Sequence, residues 1–401
     1  MDIIEKMTTR PARPFISMLV IIVSIAFTAA AGRAQEEPPV VRALLDAAAV
    51  NSAVRPTYGG LELAPDGSIT LSDYKTTFEA DSDPDMAMSY NVETLVLSDV
   101  TEIGVGVFEI GSAEWSNATV TAGGEPVAAI PLITARSLYI HQPGREPTAI
   151  ERLRASNLLA REFAMPEALI MIGGQSIVVE GLSGTWDGDP MTGAGSSQFA
   201  LRRIQVPGAV FEGDDNPLAM AGYSELDLAV EGSSLTTYAD GLAGFDIELR
   251  FDGRDVGSLI LELGADGIPL DLLEGIDAGD PDEEALLGFA DGISLKRARI
   301  RFEDNSLTSR LLSLMAEEEG TDVASFVAEG TQGIEMMLSE SLDPALARQI
   351  SAAITAYFND PKSITIALSP GQPVKFAQVM AGLEDPATLI ELLQLTITAN
   401  D

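Results

Sequence analysis

Residues 245–263 read FDIELRFDGRDVGSLILEL. Phe245, Ile247, Leu249 and Phe251 alternate with Asp246, Glu248, Arg250 and Asp252, and Leu259, Leu261 and Leu263 alternate in the run that follows. A period of two sends successive side chains to opposite faces, so each run has one apolar and one wet face. That pattern predicts antiparallel strands covered on one side. Asp252-Gly253 and Asp266-Gly267 read as the turns between them.

The same period extends in both directions. Upstream, Leu226, Leu228 and Val230 alternate with Asp227, Ala229 and Glu231. Downstream, a strand over 293–303 carries Ile293 and Leu295, slips phase at Lys296-Arg297, and resumes with Ala298, Ile300 and Phe302. Near the start, Ile69 and Leu71 give way to Tyr74, Thr76 and Phe78, a slip that predicts a β-bulge. Further strands are expected at 88–97, 105–115, 117–121, 133–140, 176–186, 198–206, 363–368 and 395–399.

Helical spacing appears in four places. VVRALLDAAAV (40–50) puts Val41, Leu44, Leu45 and Ala48 on one face. Residues 148–164 read as a helix through Ile150, Leu153, Leu158, Leu159 and Phe163. After Asn305, Leu307, Leu311, Leu314 and Met315 form one stripe. Val323, Phe326, Val327, Ile334 and Met337 form another, weakened by Gly330 and Gly333. Asp343-Pro344 and Asp385-Pro386 are helix starts, an N-cap followed by proline at the first helical position. The expected class is α+β: one or two large, mainly antiparallel amphipathic sheets with a C-terminal helical region. The expected regions are 1–34, 35–165, 166–303 and 304–401, and the strand pattern of 61–140 and 176–302 is compatible with a duplication.

Lys6, Arg10 and Arg13 precede the apolar run FISMLVIIVSIAFTAAAG (15–32), which ends at AGRA. A basic region, an apolar run and small residues describe a secretory signal peptide cut after Ala34. An uncleaved anchor is the alternative, since the run is near the minimum length that spans. Either reading places the rest outside the cytoplasm, in the periplasm of a Gram-negative cell, with membrane contact only through residues 15–32 if the segment is kept. Without cysteine the chain offers no lipid-attachment site, disulfide, thiolate nucleophile or Cys-bound metal.

Beyond residue 34 the chain carries 20 basic and 59 acidic residues, a net charge of −39. Such a charge repels nucleic-acid phosphate and anionic lipid headgroups. With 46% hydrophobic residues the chain is not a disordered acidic tail.

Candidate sites are few. His141 is the single histidine, which defeats a triad needing a second imidazole and most zinc sites; a loop residue before Gln142-Pro143-Gly144 is the expected role. Gly173-Gly174 precedes a strand rather than a helix and reads as a turn. Asp81, Asp83 and Asp85 alternate as calcium ligands do, but Pro84 sits where such a loop must curl. Asp187/Asp189, Asp214-Asp215 and Asp280/Asp282 are charged turns. Trp186, beside acidic turn residues, is either a sugar platform or an anchor at a strand end. Lys296, Arg297, Arg299 and Arg301 form a cationic strand in an anionic chain, either a site for an anionic partner or a wet face paired with acids such as Asp246, Glu248 or Asp252. No residue is assigned a catalytic, cofactor-binding or metal role, and no cofactor is expected.

Three segments carry a resemblance: SGTWDGDPMTG (183–193), RIRFEDNSLTSRLL (299–312) and NDPKSITIALSPGQPVKFAQVM (359–380). On these the chain is similar to uncharacterised exported proteins of alphaproteobacteria. In architecture alone it resembles AsmA-type envelope proteins, whose curved sheets are linked to lipid handling; the helical C-terminus departs from that pattern, and no activity follows. The expected role is a non-enzymatic periplasmic envelope protein, a scaffold or lipid-contacting sheet. The alternatives are a binding or adaptor module for an envelope protein partner, using loops or 296–301, and a carboxylate-based hydrolase.

Overall fold

The computed structural model describes residues 37–52, 54–78, 88–143, 157–211, 216–269, 292–342, 344–382 and 385–401. The chain forms two compact units. One takes in Met1–Arg145 and Ser156–Phe163, the other Glu146–Ala155 and Ala164–Asp401. Residues 304–401 thus belong to the same unit as the second β region.

The first unit contains helix α1 (Pro39–Ser52) and strands β1 (Gly60–Leu63), β2 (Ile69–Phe78), β3 (Met88–Gly104), β4 (Val107–Ala122) and β5 (Glu125–His141), with the opening of β6 (Leu158–Ile172). From β1 to β5 each strand pairs antiparallel with the next. α1 packs against β2, β4 and β5. It is apolar nearly all round, the mark of a buried helix: the predicted face of Val41, Leu44, Leu45 and Ala48 is fully buried, and so are Ala43 and Ala47. Leu71, Tyr74, Tyr90, Leu95, Ile110, Trp115, Ile130 and Leu138 are the sheet's part of this core. Burial pushes the Tyr74 and Tyr90 phenols above their ordinary range.

The phase slip in β2 proves to be a property of the whole sheet. Asp73 adopts a left-handed backbone (φ 51°), and the buried set changes from Ile69 and Leu71 to Tyr74 and Thr76 across it. The register does not shift there: Ser72 pairs with Thr94 and Tyr74 with Val92. The expected bulge of two residues against one is therefore absent at this point. Instead Glu93, Asn117 (φ 55°) and Pro131 stand level with Asp73 on β3, β4 and β5, and all four strands change phase together. A second line runs through Asp99 (φ 56°), Gly111 and Ser137 (φ 44°). Space is short along it: a Cβ on Gly111 would come within 2.8 Å of the Asp99 Cβ. These aligned reversals switch the alternation of neighbouring strands in step, so the apolar side of the sheet stays on α1. Asp and Asn tolerate the left-handed region best among residues with a Cβ, which accounts for three of the four.

The second unit holds the rest of β6, then β7 (Gln175–Gly188), β8 (Gly195–Pro207), β9 (Glu225–Ala239), β10 (Leu242–Gly253), β11 (Gly257–Pro269), β12 (Ser294–Asp304), β13 (Ser363–Leu368), β14 (Val374–Lys375) and β15 (Leu395–Ala399). Its helices are α2 (Pro217–Met220), α3 (Leu307–Glu318), α4 (Val323–Ser341), α5 (Pro344–Asn359), α6 (Phe376–Gly382) and α7 (Pro386–Leu393). The strand order is β7-β8-β9-β10-β11-β12-β13-β15, with β14 beside β12. Gly181 (φ 67°) faces Arg202 in an unbroken β7–β8 register, the same device as in the first unit. True register shifts occur between β8 and β9, β10 and β11, and β11 and β12, the last leaving Lys296 as the extra residue. α5 lies on β13, β15 and α4. Asp322 caps α4 by accepting from the Ser325 N–H (3.1 Å), and Asp385 caps α7 by accepting from the Thr388 N–H (3.4 Å). Asp343 lies outside the described residues.

The fold is mostly β, with helices a minority gathered toward the C-terminus. Two expectations are corrected. Leu158, Leu159 and Phe163, expected on a helix over 148–164, lie in β6; Ile150 and Leu153 lie outside the described residues. Asp266-Gly267 is no turn, because β11 runs on through it with Gly267 at φ 77°.

Asn117 tests the first line of phase change. Its left-handed backbone is disfavoured for a β-branched residue, and its Nδ2 donates to Glu93 (2.6 Å). Asn117→Ile is expected to lower unfolding stability by about 1–3 kcal/mol in urea titration, whereas Asn117→Gly, which suits the conformation, costs less.

Candidate functional site

In the second unit the strand alternation creates two contrasting faces. One carries Phe245, Ile247, Leu249 and Phe251 on β10, level with Leu259, Leu261, Leu263 and Ala265 on β11. It continues through Ala298, Ile300 and Phe302 on β12, Ile364, Ile366 and Leu368 on β13, and Leu395 and Ile397 on β15. No charged side chain interrupts it. Unlike the apolar face of the first unit, it is only partly covered. Ile300, on an interior strand, is 50% exposed, its cross-strand partner Ile366 is 41% exposed, and Leu263 and Phe251 on the same face are 40% and 37% exposed. An interior strand with an exposed isoleucine is the informative departure, since scattered apolar exposure at edges is ordinary.

The opposite face is ionic and internally matched. Lys296 Nζ meets Asp246 at 2.7 Å and Arg297 Nη2 meets the same carboxylate at 3.1 Å. Arg299 Nη1 reaches Glu262 at 2.7 Å. Arg301 bridges Glu303 (2.9 Å) and Asp401 (2.7 Å) and donates to Thr365. The cationic strand is therefore the wet face of a sheet, paired across strands. Arg250 Nε donates to Asp252 at 2.8 Å, and the Ser258 hydroxyl donates to the other Asp252 oxygen. Burial alone would raise the Asp252 pKa, but the hydrogen bonds from Arg250 and Ser258 outweigh it and hold the carboxyl below its ordinary range.

An open trough of about 420 Å³ on this polar side is lined by Ser183, Thr185, Gln198, Ser233, Glu231 and Glu248. Both glutamates are exposed.

The remaining candidates resolve one by one. His141 is not a loop residue: it ends β5, is buried, and its backbone N–H donates to the Asn157 backbone carbonyl at 2.9 Å. Gly173 and Gly174 (φ 57° and 78°) form the turn between β6 and β7. Asp189 accepts from the Met191 N–H and the Thr192 hydroxyl, both at 2.9 Å, and so organises its own turn. Trp186 packs against Gly188 near the end of β7, where a Cβ on Gly188 would meet the indole at 2.7 Å. Trp115 is fully buried in β4. The clusters at Asp81–Asp85, Asp214-Asp215 and Asp280–Glu284 lie outside the described residues. Among the described residues, no three His, Cys, Asp or Glu side chains are grouped to hold a metal, and no helix is long and apolar enough to cross a membrane.

A protein family described as "Uncharacterized protein" matches residues 250–400. That span takes in the end of β10, β11 to β15 and α3 to α7, hence most of the exposed apolar face. No curated protein matches the chain.

Asp252 gives a pH signature. A carboxyl with a depressed folded pKa adds stability above its unfolded pKa of about 4, and that increment is lost as pH falls through the folded value. In chemical denaturation between pH 7 and pH 2, Asp252→Asn is expected to be less stable than the parent at neutral pH, the gap closing below pH ~4. A gap that persists unchanged at low pH would rule out the Arg250–Asp252–Ser258 linkage as its cause.

Proposed function

We propose that this chain is a non-enzymatic protein of the periplasmic envelope whose second unit offers an apolar sheet face to lipid. The observation that carries the reading is the exposure of Ile300 and Ile366 in the middle of a five-strand face without a charge. Burying apolar surface is worth roughly 25 cal/mol per Å², so such a face gains from an apolar partner. The net charge of −39 beyond residue 34 favours zwitterionic or neutral lipid over anionic lipid. The N-terminal segment supplies export, as a signal cut after Ala34 or as an anchor in the inner membrane. The likeness to exported proteins of alphaproteobacteria and the loose architectural likeness to AsmA-type proteins support the same placement.

The alternative of an adaptor working through 296–301 is less well supported, because each cation of that strand already meets a carboxylate. Native mass spectrometry of protein purified from its own envelope tests the lipid reading. The parent is expected to carry neutral or zwitterionic lipid, and the double variant Ile300→Asp/Ile366→Asp, folded by circular dichroism, is expected to carry at least fivefold less. An equal lipid load on a folded double variant would sink it. N-terminal sequencing of the same sample reads Gln35 first if the signal is cut.

A further inference from the structure

A cavity of about 300 Å³ lies among α3, α4 and α5, remote in character from the sheet face. Leu311 and Met315 of α3, Phe326, Gly330 and Ile334 of α4, and Phe358 of α5 line it. Its volume is at the lower end of the range for small-ligand sites, roughly 300–1,000 Å³.

The chemistry of the wall restricts the occupant. The hydroxyls that border the cavity are engaged within the protein: Thr308 Oγ1 and the Tyr357 hydroxyl bond each other at 2.5 Å, and Thr331 Oγ1 donates to the Val327 carbonyl at 2.8 Å. An ordered water needs two to four polar partners, and this wall spares few. The space therefore suits hydrocarbon.

Gly330 lies in the α4 wall of the cavity. It stands inside a helix, where glycine costs about 1 kcal/mol relative to alanine. Close packing does not require it, because a Cβ built there meets nothing within 4 Å. Its φ is not in the left-handed region either. Gly330 is an exposed residue of the cavity's α4 wall, so a longer side chain there has room to reach over the opening.

Charge selects the head of the ligand. α4 carries Glu329 and Glu335 beside the lining positions and no Lys or Arg. The one cation of α3, Arg310, stacks on Tyr223 at 4.4 Å and donates to the Ala221 carbonyl. The cation of α5, Arg348, donates its Nε to the Pro344 carbonyl, so among the described residues of these helices a carboxylate or phosphate at the mouth would meet like charge while each cation is already engaged.

We infer that this three-helix cavity binds a single unbranched hydrocarbon chain bearing an uncharged head. At about 30 Å³ per water-sized group, it has room for roughly ten carbons. The site is separate from the apolar sheet face and stands or falls on its own.

Calorimetric titration of the purified full chain with 1-decanol, monodecanoylglycerol and decanoate is the test. The alcohol and the monoacylglycerol are expected to bind saturably at one site, with the negative heat-capacity change of apolar burial. Decanoate is expected to bind at least tenfold more weakly. Gly330→Leu, which fills the cavity, is expected to weaken decanol binding at least tenfold and to raise the melting temperature. Leu311→Trp serves as a second filling variant if the first does not fold. Ile300→Asp/Ile366→Asp should leave decanol binding unchanged, which separates this site from the sheet face. Absence of saturable binding, or equal binding by a folded filling variant, would overturn the inference. Equal binding of decanoate would overturn the uncharged head.

Discussion

The aligned changes of phase in the first unit are the constraint on which its core depends. A strand has a period of two, so one left-handed residue turns every later side chain to the other face. In a single strand this would expose half of its apolar residues. Here Asp73, Glu93, Asn117 and Pro131 stand level, so four neighbouring strands change phase together and the pairs that flank the line keep their match. Asp99, Gly111 and Ser137 repeat the arrangement on β3, β4 and β5. Because the pairs flanking each line are in register, the change of phase there does not need the extra residue of a bulge. Their product is a sheet that touches α1 from β2, β4 and β5.

The second unit uses the same strand chemistry to a different end. Its wet face closes on itself: four cations of β12 meet carboxylates of β10, β11 and β12 and Asp401. Such exposed pairs are worth about 0–1 kcal/mol each, so their main effect is to set strand register and to remove free positive charge. Among the described residues, no helix covers its apolar face at Ile300 and Ile366 as α1 covers the first unit's, and both side chains stay partly exposed. α5 packs against α4 and against β13 and β15 at the far end of the sheet. That arrangement leaves an apolar surface on the sheet and a separate apolar cavity among the helices.

Much of this was legible from residue order. The strands at 363–368 and 395–399, the phase slip at Lys296, the Gly173-Gly174 turn and the α7 cap at Asp385 follow from local chemistry, and local chemistry persists in the fold. The end of the stretch 148–164 misled because Arg, Glu, Leu and Ala favour helix, yet Leu158–Ile172 finds partners in a sheet and takes the extended form. Asp266-Gly267 resembled a turn because the dipeptide suits positive φ, but positive φ also serves inside a strand at an irregular register. His141 looked like a loop residue since Pro and Gly follow it; pairing with Asn157 draws it into the core.

Residue order by itself determined that the chain is acidic, thiol-free and built from amphipathic strands with helices near its end, because composition and periodicity are properties of neighbours along the chain. It also showed which face of each strand is apolar. Only the tertiary structure decided which of those faces is covered: α1 fills the first unit, while Ile300 and Ile366 stay open to solvent. Coverage depends on which distant element packs where, and two strands with the same alternation carry no record of that. The level placement of Asp73 with Asn117, and the space beside Gly330, are decided in the same way, by residues brought together across strands and helices rather than along them.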